Sequence, residues 1–302
     1  MGQSKTQFDN YLEEEINRCR GVYFPVKTGL LRRLLTRKAS VFNLHPNPED
    51  EFCDPKIGPS YKIISEYQQM YVDALKSSYH FYEDEPIVVE RLHPDGYRIL
   101  NGHHRWAAVM RIGQDSIPIR IVNMTHEEDV KRILEHSVNT KRATLDLDEV
   151  IFRSEGDGPL EKPAPFPWNR LVPERMRLGV PALFHFLSTR GYDIWVYSAK
   201  YYSTDSIQKY FEKYHVHVDG VMTATAKRAK SSGESSRKIN KMIADKYRIT
   251  LHIDNEAVIR SVRDSRDYRE YELKGTAETW SQAVMDAVED LENQTEECDR
   301  QP

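Results

Sequence analysis

Three acids close an apolar run in "LDLDEVIF", residues 145–152: Asp146, Asp148 and Glu149. Like charges gathered at a strand end repel one another, so the pattern is costly unless a cation or a phosphoryl group is handled there. Asp254, in "LHIDNE", and Ser198, in "IWVYSAK", end two further apolar runs. Brought side by side by parallel strands, these oxygens suit a hard cation such as Mg²⁺, and a basic residue from segment 227–241 is within reach of the same pocket. A second cluster lies upstream, Gly102-His103-His104-Arg105 within "DGYRILNGHHRWAAVMRIG". The glycine permits a tight turn from strand to helix, and the helix start then offers amides and the positive end of its dipole. His103, His104 and Arg105 add donors in the same place, so a phosphate is the expected ligand.

The elements that must position these groups are legible in the pattern. A chain of 302 residues exceeds one compact core and predicts two domains. Helical patterns run over about 5–20, 28–39 and 62–77, with the proline-punctuated turn "NLHPNPEDEF" at 43–52. Strand 85–92, turn, strand 97–101, helix 103–113 and strand 116–123 make a small α+β unit. A charged helical connector, "THEEDVKRILEHSVN", follows. Beyond it strands at 143–147, 193–197, 217–222, 249–253 and 268–273 alternate with helices near 181–190, 203–213, 235–247 and 277–292. That alternation predicts a mainly parallel sheet with crossover helices, whose active site gathers at the carboxyl ends of the strands. The expected division is a basic helical arm over 1–42, the small domain over 43–124, the connector over 125–140, the large domain over 141–294 and a tail over 295–302.

Composition narrows the setting. With 39% hydrophobic and 30% charged residues the chain reads as soluble, and no apolar run reaches the length of a membrane span. The first residues, "MGQSKTQFDNYLEEE", lack the apolar core of a signal peptide. Cys19, Cys53 and Cys298 are scattered, which predicts neither a disulfide framework nor a zinc site, and a reducing, cytoplasmic setting. The net charge of −4 conceals Arg18, Arg20, Lys27, Arg32, Arg33, Arg37 and Lys38 in an acid-free stretch, 16–48. Such a stretch is either a solvated face or a surface for polyanions, nucleic acid included.

The order of motifs in the second half resembles the haloacid dehalogenase (HAD) superfamily of phosphotransferases across residues 141–294. Its DxD motif corresponds to Asp146-Leu147-Asp148, its strand-ending Ser or Thr to Ser198, its lysine to Lys238 with Lys230 and Lys241 as rivals, and its final acid to Asp254. The resemblance implies a HAD-like parallel sheet with little or no cap and a catalytic set of Asp146, Asp148, Ser198 and Lys238. It implies Asp146 as nucleophile toward phosphorus, Asp148 as general acid and base, and Ser198 and Lys238 on the transferring oxygens. Mg²⁺ would lie at Asp146, Asp148 (through its carbonyl) and Asp254. Val150 stands where the family's motif usually has Thr, and Asp254-Asn255-Glu256 departs from a plain pair of acids.

Residues 43–123 resemble the ParB/sulfiredoxin-like fold, and the GHHR loop is most similar to its free-serine kinases. That resemblance implies a nucleotide, ATP or ADP or else CTP, with its phosphates at Gly102, His103, His104 and Arg105. It also implies an upstream base, sought at Glu51 or Glu49; His45 is either a turn residue or a neighbour of the phosphates. The leading expectation is a Mg²⁺-dependent phosphomonoester hydrolase attached to a nucleotide-binding domain. The alternatives are a small-molecule kinase at the first domain, and a nucleic-acid-binding or end-processing protein using the basic stretch.

Overall fold

A computed structural model describes residues 7–19, 22–76, 85–225, 234–263, 265 and 268–299. The chain is mixed α/β, with parallel and antiparallel strands, and divides into two compact units, Met1–Asn123 and Met124–Pro302. The expected basic arm therefore belongs with the small domain, and the expected connector helix with the large one.

The first unit runs α1 (Gln7–Cys19), β1 (Phe24–Pro25), α2 (Leu30–Leu35), β2 (Lys38–Ser40), β3 (Leu44–His45), α3 (Tyr61–Lys76), β4 (Ile87–His93), β5 (Tyr97–Asn101), α4 (His103–Arg111) and β6 (Ser116–Ile121). The sheet order is β2-β6-β4-β5-β3, with β1 against β4. The helix expected over 28–39 stops at Leu35, because β6 captures Lys38–Ser40 as an antiparallel edge strand. The apolar sides of β4, β5 and β6 close on Phe52, Ile64, Tyr71 and Trp106, all buried. Trp106 Nε1 donates to the Val41 carbonyl (3.0 Å), which satisfies the one polar atom this ring brings inside.

The second unit runs α5 (Glu127–His136), β7 (Lys141–Asp146), β8 (Phe152–Arg153), α6 (Trp168–Leu171), β9 (Arg175–Met176), α7 (Val180–Thr189), β10 (Tyr192–Tyr197), α8 (Thr204–Glu212), β11 (Gly220–Met222), α9 (Glu234–Lys246), β12 (Ile249–Ile253), β13 (Ala257–Val262), β14 (Tyr268–Glu272) and α10 (Trp280–Asp299). The sheet order is β11-β10-β7-β12-β13-β14, parallel from β11 to β12 and antiparallel beyond. Strand β7 thus lies in the middle. Ala143, Leu145, Ile194 and Val196 pack on one side with Leu183, Phe184, Phe211 and Val288. Trp195 and Met222 pack on the other with Val130, Ile239 and Ile243. Apolar side chains on both sheet faces are what a parallel sheet between helix layers requires.

Two features depart from the sequence pattern. Strand β13 was not expected: Asp254-Asn255-Glu256 is a hairpin turn, closed by Asp254 N–H on the Ala257 carbonyl (2.9 Å). The tail expected from 295 continues α10 as far as Asp299. Between Asp146 and β10 the chain makes a single π-type turn, the β8–β9 hairpin, the short α6 and α7. No helix among the described residues is long and apolar enough to cross a membrane.

Candidate active site at the strand ends

Registry brings the predicted acids together. Leu145 pairs with Ile253, so Asp146 and Asp254 are the next residues on adjacent parallel strands. On the other flank Asp146 itself pairs with Tyr197, which places Ser198 one step further on. Past Asp146 the backbone makes a single π-type turn, Leu147–Ile151, before entering the β8–β9 hairpin. Asp146 caps that turn: its Oδ1 accepts the amides of Asp148 (2.7 Å) and Glu149 (2.9 Å). Wide turns of this kind recur at functional sites because they re-aim backbone and side chains.

The electrostatics of Asp146 are mixed. Burial pushes its carboxyl above the usual carboxylate range, the Glu149 and Asp148 amides pull it back, and the Asp148 and Glu149 charges push it up again. The Asp148 carboxylate turns toward β10. Its Oδ2 accepts from Ser198 Oγ (2.7 Å) and Ala199 N–H (2.9 Å), and Lys200 Nζ lies 3.6 Å from Oδ1. Ser198 is fully buried and is therefore committed to Asp148. Lys200 also meets Glu174 (3.4 Å). Asn255 braces the far side: its amide donates to Asp254 Oδ1 (2.6 Å) and its Nδ2 to the Glu149 carbonyl (3.0 Å).

Of the three lysine candidates, Lys238 and Lys241 stand exposed on α9, and Lys230 lies outside the described residues. The lysine found at the acid cluster is Lys200, two positions after Ser198 in "YSAK"; nothing in its spacing marked it beforehand. No group of three or more His, Cys, Asp or Glu side chains among the described residues is arranged to hold a metal ion. The expected set is the Asp146 and Asp254 side chains with the Asp148 carbonyl, and the engagement of the Asp148 side chain by Ser198 and Lys200 does not touch it. Asp146 and Asp254 remain as two hard oxygen donors on adjacent strands. That set fits Mg²⁺, which binds through one or two carboxylates and fills its shell with water and phosphate oxygens.

In the first unit Gly102 initiates α4 with φ +103°, a left-handed conformation, and a Cβ there would sit 3.1 Å from Arg105 Nη2 and 3.2 Å from Ile87 Cγ1. The histidines fasten loops to the helix start. His103 Nε2 accepts Asn47 N–H (3.1 Å), and His104 Nε2 accepts Ser60 N–H (3.1 Å). Those bonds put the remaining ring proton on Nδ1, and in His103 that atom faces Asp50 Oδ1 at 3.6 Å. Phe52 stacks on the His103 ring, centroids 5.4 Å apart. Arg105, buried, is ion-paired with Glu85 (3.1 Å). Glu49 and Glu51 are exposed, and the acid turned into the loop is Asp50 between them. His45 is buried against Glu15 (2.6 Å) and packs on Gly96. Among the described residues, the basic stretch 16–48 runs through the end of α1, then β1, α2, β2 and β3.

Residues 59–138 match the family model of the ParB N-terminal domain. Among solved structures, the C-terminally truncated chromosome-partitioning protein ParB from Caulobacter crescentus, complexed with CTP-γ-S, is similar at 21% identity and a TM-score of 0.23, over 34% of this chain and 55% of that one. The chain thus spans about half the length of that ParB. A conserved hypothetical protein from Pyrococcus furiosus is similar at 11% identity and a TM-score of 0.22, over 82% of this chain and 98% of that one. No curated protein matches.

Proposed function

We propose that the second unit is a haloacid-dehalogenase-like phosphotransferase that hydrolyses phosphomonoesters, and that the first unit binds a nucleotide through its phosphates. One observation carries the first part: Asp146 ends the central strand of a parallel sheet with Asp254 beside it on one strand and the Ser198–Asp148 pair on the other. In this reading Asp146 Oδ1 is fixed by two amides, which leaves Oδ2 to attack phosphorus. The bond from phosphorus to the leaving oxygen breaks as that oxygen takes the Asp148 proton. Water then attacks the phosphoaspartate and returns a proton to Asp148, and the phosphorus–Asp146 bond breaks to release phosphate. Mg²⁺, held by Asp146 and Asp254, would supply the charge that lets a carboxylate approach a phosphate. Ser198, Ala199 N–H and Lys200 hold Asp148 in one orientation, which decides where its proton is delivered.

The test is phosphate release from nucleotides, phosphoserine, phosphosugars and end-phosphorylated oligonucleotides, with and without Mg²⁺. Mg²⁺-dependent release that disappears in Asp146→Asn supports the proposal; no release by the wild type from any ester overturns it. For the first unit the support is the family match over 59–138 together with the Gly102 helix start and its two histidines. A kinase at that loop is the second reading. It is supported by Asp50, the buried acid of this segment, whose carboxylate stands 3.6 Å from His103 Nδ1 beside the helix start. ATP- or ADP-dependent phosphorylation of small alcohols that is lost in Asp50→Asn distinguishes it from binding alone.

A further inference from the structure

The hairpin that follows the acid turn carries three arginines on one face. Arg153 on β8 pairs directly across from Arg175 on β9, and Arg177 follows two residues later. Arg175 is occupied by Glu155 (3.4 Å) and the Glu161 carbonyl (2.7 Å). The other two have no such counter-charge. Arg153 and Arg177 both donate to one neutral oxygen, Asn255 Oδ1, the second at 3.0 Å. Among the described residues neither is ion-paired to a carboxylate. Arg177 is only 7% exposed and lies over the Trp280 ring at 4.0 Å from its centroid.

A buried guanidinium without an anion, set beside a second cation on a shared acceptor, is unfavourable in the empty protein. The cost is visible in Arg177, which burial and then the neighbouring Arg153 charge lower to about 10. The place is informative too. Asn255 follows Asp254 and bonds the Glu149 carbonyl, so the two arginines gather at the strand ends that carry Asp146.

Resting on the phosphatase reading above, we infer that Arg153 and Arg177 form a subsite for a second oxyanion, a carboxylate or a further phosphate, on the phosphomonoester substrate. Each guanidinium presents five donors in a planar fork, and a single amide oxygen engages one from each. The remaining donors match the paired oxygens of a carboxylate or phosphate. Asn255 and Trp280 fix the forks in advance, which lowers the ordering cost of binding. The hairpin thereby selects phosphomonoesters that carry a second anionic group over simple alkyl phosphates.

Hydrolysis of propyl phosphate, phosphoglycolate and 1,3-propanediol bisphosphate by the full chain tests this. The subsite predicts that the wild type prefers phosphoglycolate or the bisphosphate over propyl phosphate by about tenfold or more in kcat/KM. Whichever ester wins names the carboxylate or the phosphate. In Arg153→Gln that preference falls to within about threefold, chiefly through a higher KM. Arg153 is the residue to change because it is half-buried; removing Arg177 from its buried position risks the fold, and thermal melting controls for that. Equal loss on all three esters would overturn the subsite and assign the arginines to holding Asn255 or the transferring phosphoryl. A wild type without preference overturns the subsite and leaves the phosphatase reading intact. No Mg²⁺-dependent turnover of any ester removes both.

Discussion

Replacing Ser198 by Ala is the perturbation whose consequences the structure defines best. The Ser198 hydroxyl is fully buried, donates to Asp148 Oδ2 at 2.7 Å and accepts the Lys200 amide at 3.0 Å. A hydrogen bond to a charged acceptor contributes about 1.5–3 kcal/mol. One kcal/mol shifts Tm by about 2–4 °C in a unit of this size, so the substitution lowers Tm by about 3–12 °C. Catalysis suffers separately. Asp148 keeps only the Ala199 amide and the longer contact to Lys200, and a carboxyl that swings by an ångström costs up to about a hundredfold. The expected result is a kcat about ten- to a hundredfold lower with little change in KM, measured as Mg²⁺-dependent phosphate release on protein shown to be folded. Ser198→Thr, which keeps the hydroxyl, recovers most of the rate. A Ser198→Ala protein that is folded and within threefold of wild-type kcat refutes the idea that Ser198 acts by positioning Asp148.

Further outcomes follow from single residues. Asp146→Asn abolishes phosphate release yet stabilises the second unit at neutral pH, because it removes a carboxylate whose ionisation burial disfavours. The sign follows from linkage: a carboxyl held above its unfolded range contributes stability below about pH 3.9 and loses it as pH rises through the folded value. The advantage of Asp146→Asn in chemical denaturation therefore shrinks as pH falls toward 4. Gly102→Ala imposes φ +103° on a residue with a Cβ and crowds Arg105 and Ile87, so it destabilises the first unit by about 1–3 kcal/mol and weakens nucleotide-induced thermal shifts. Gly220→Ala places a Cβ about 2.2 Å from Trp195 Cε3 in the sheet, so the second unit melts well below wild type.

The sequence alone indicated most of the elements and the residues at their ends, with β2 and β13 among the exceptions. Apolar runs broken by Asp146, Ser198 and Asp254 could be only strands that stop there, and "NGHHR" could be only a glycine turn into a helix, because such patterns reflect local sterics and period. Which side chains meet was not determined locally. Lys200 at Asp148, Asp50 at His103, and Arg153 with Arg177 at Asn255 depend on strand order, registry and loop paths. Those partners lie between 52 and 102 positions apart in the chain, and no spacing rule links them. The same holds for β13: a six-residue strand behind a three-residue turn is indistinguishable from a loop until β12 offers its edge. Local chemistry chose most of the elements; packing chose the partners and the strands β2 and β13.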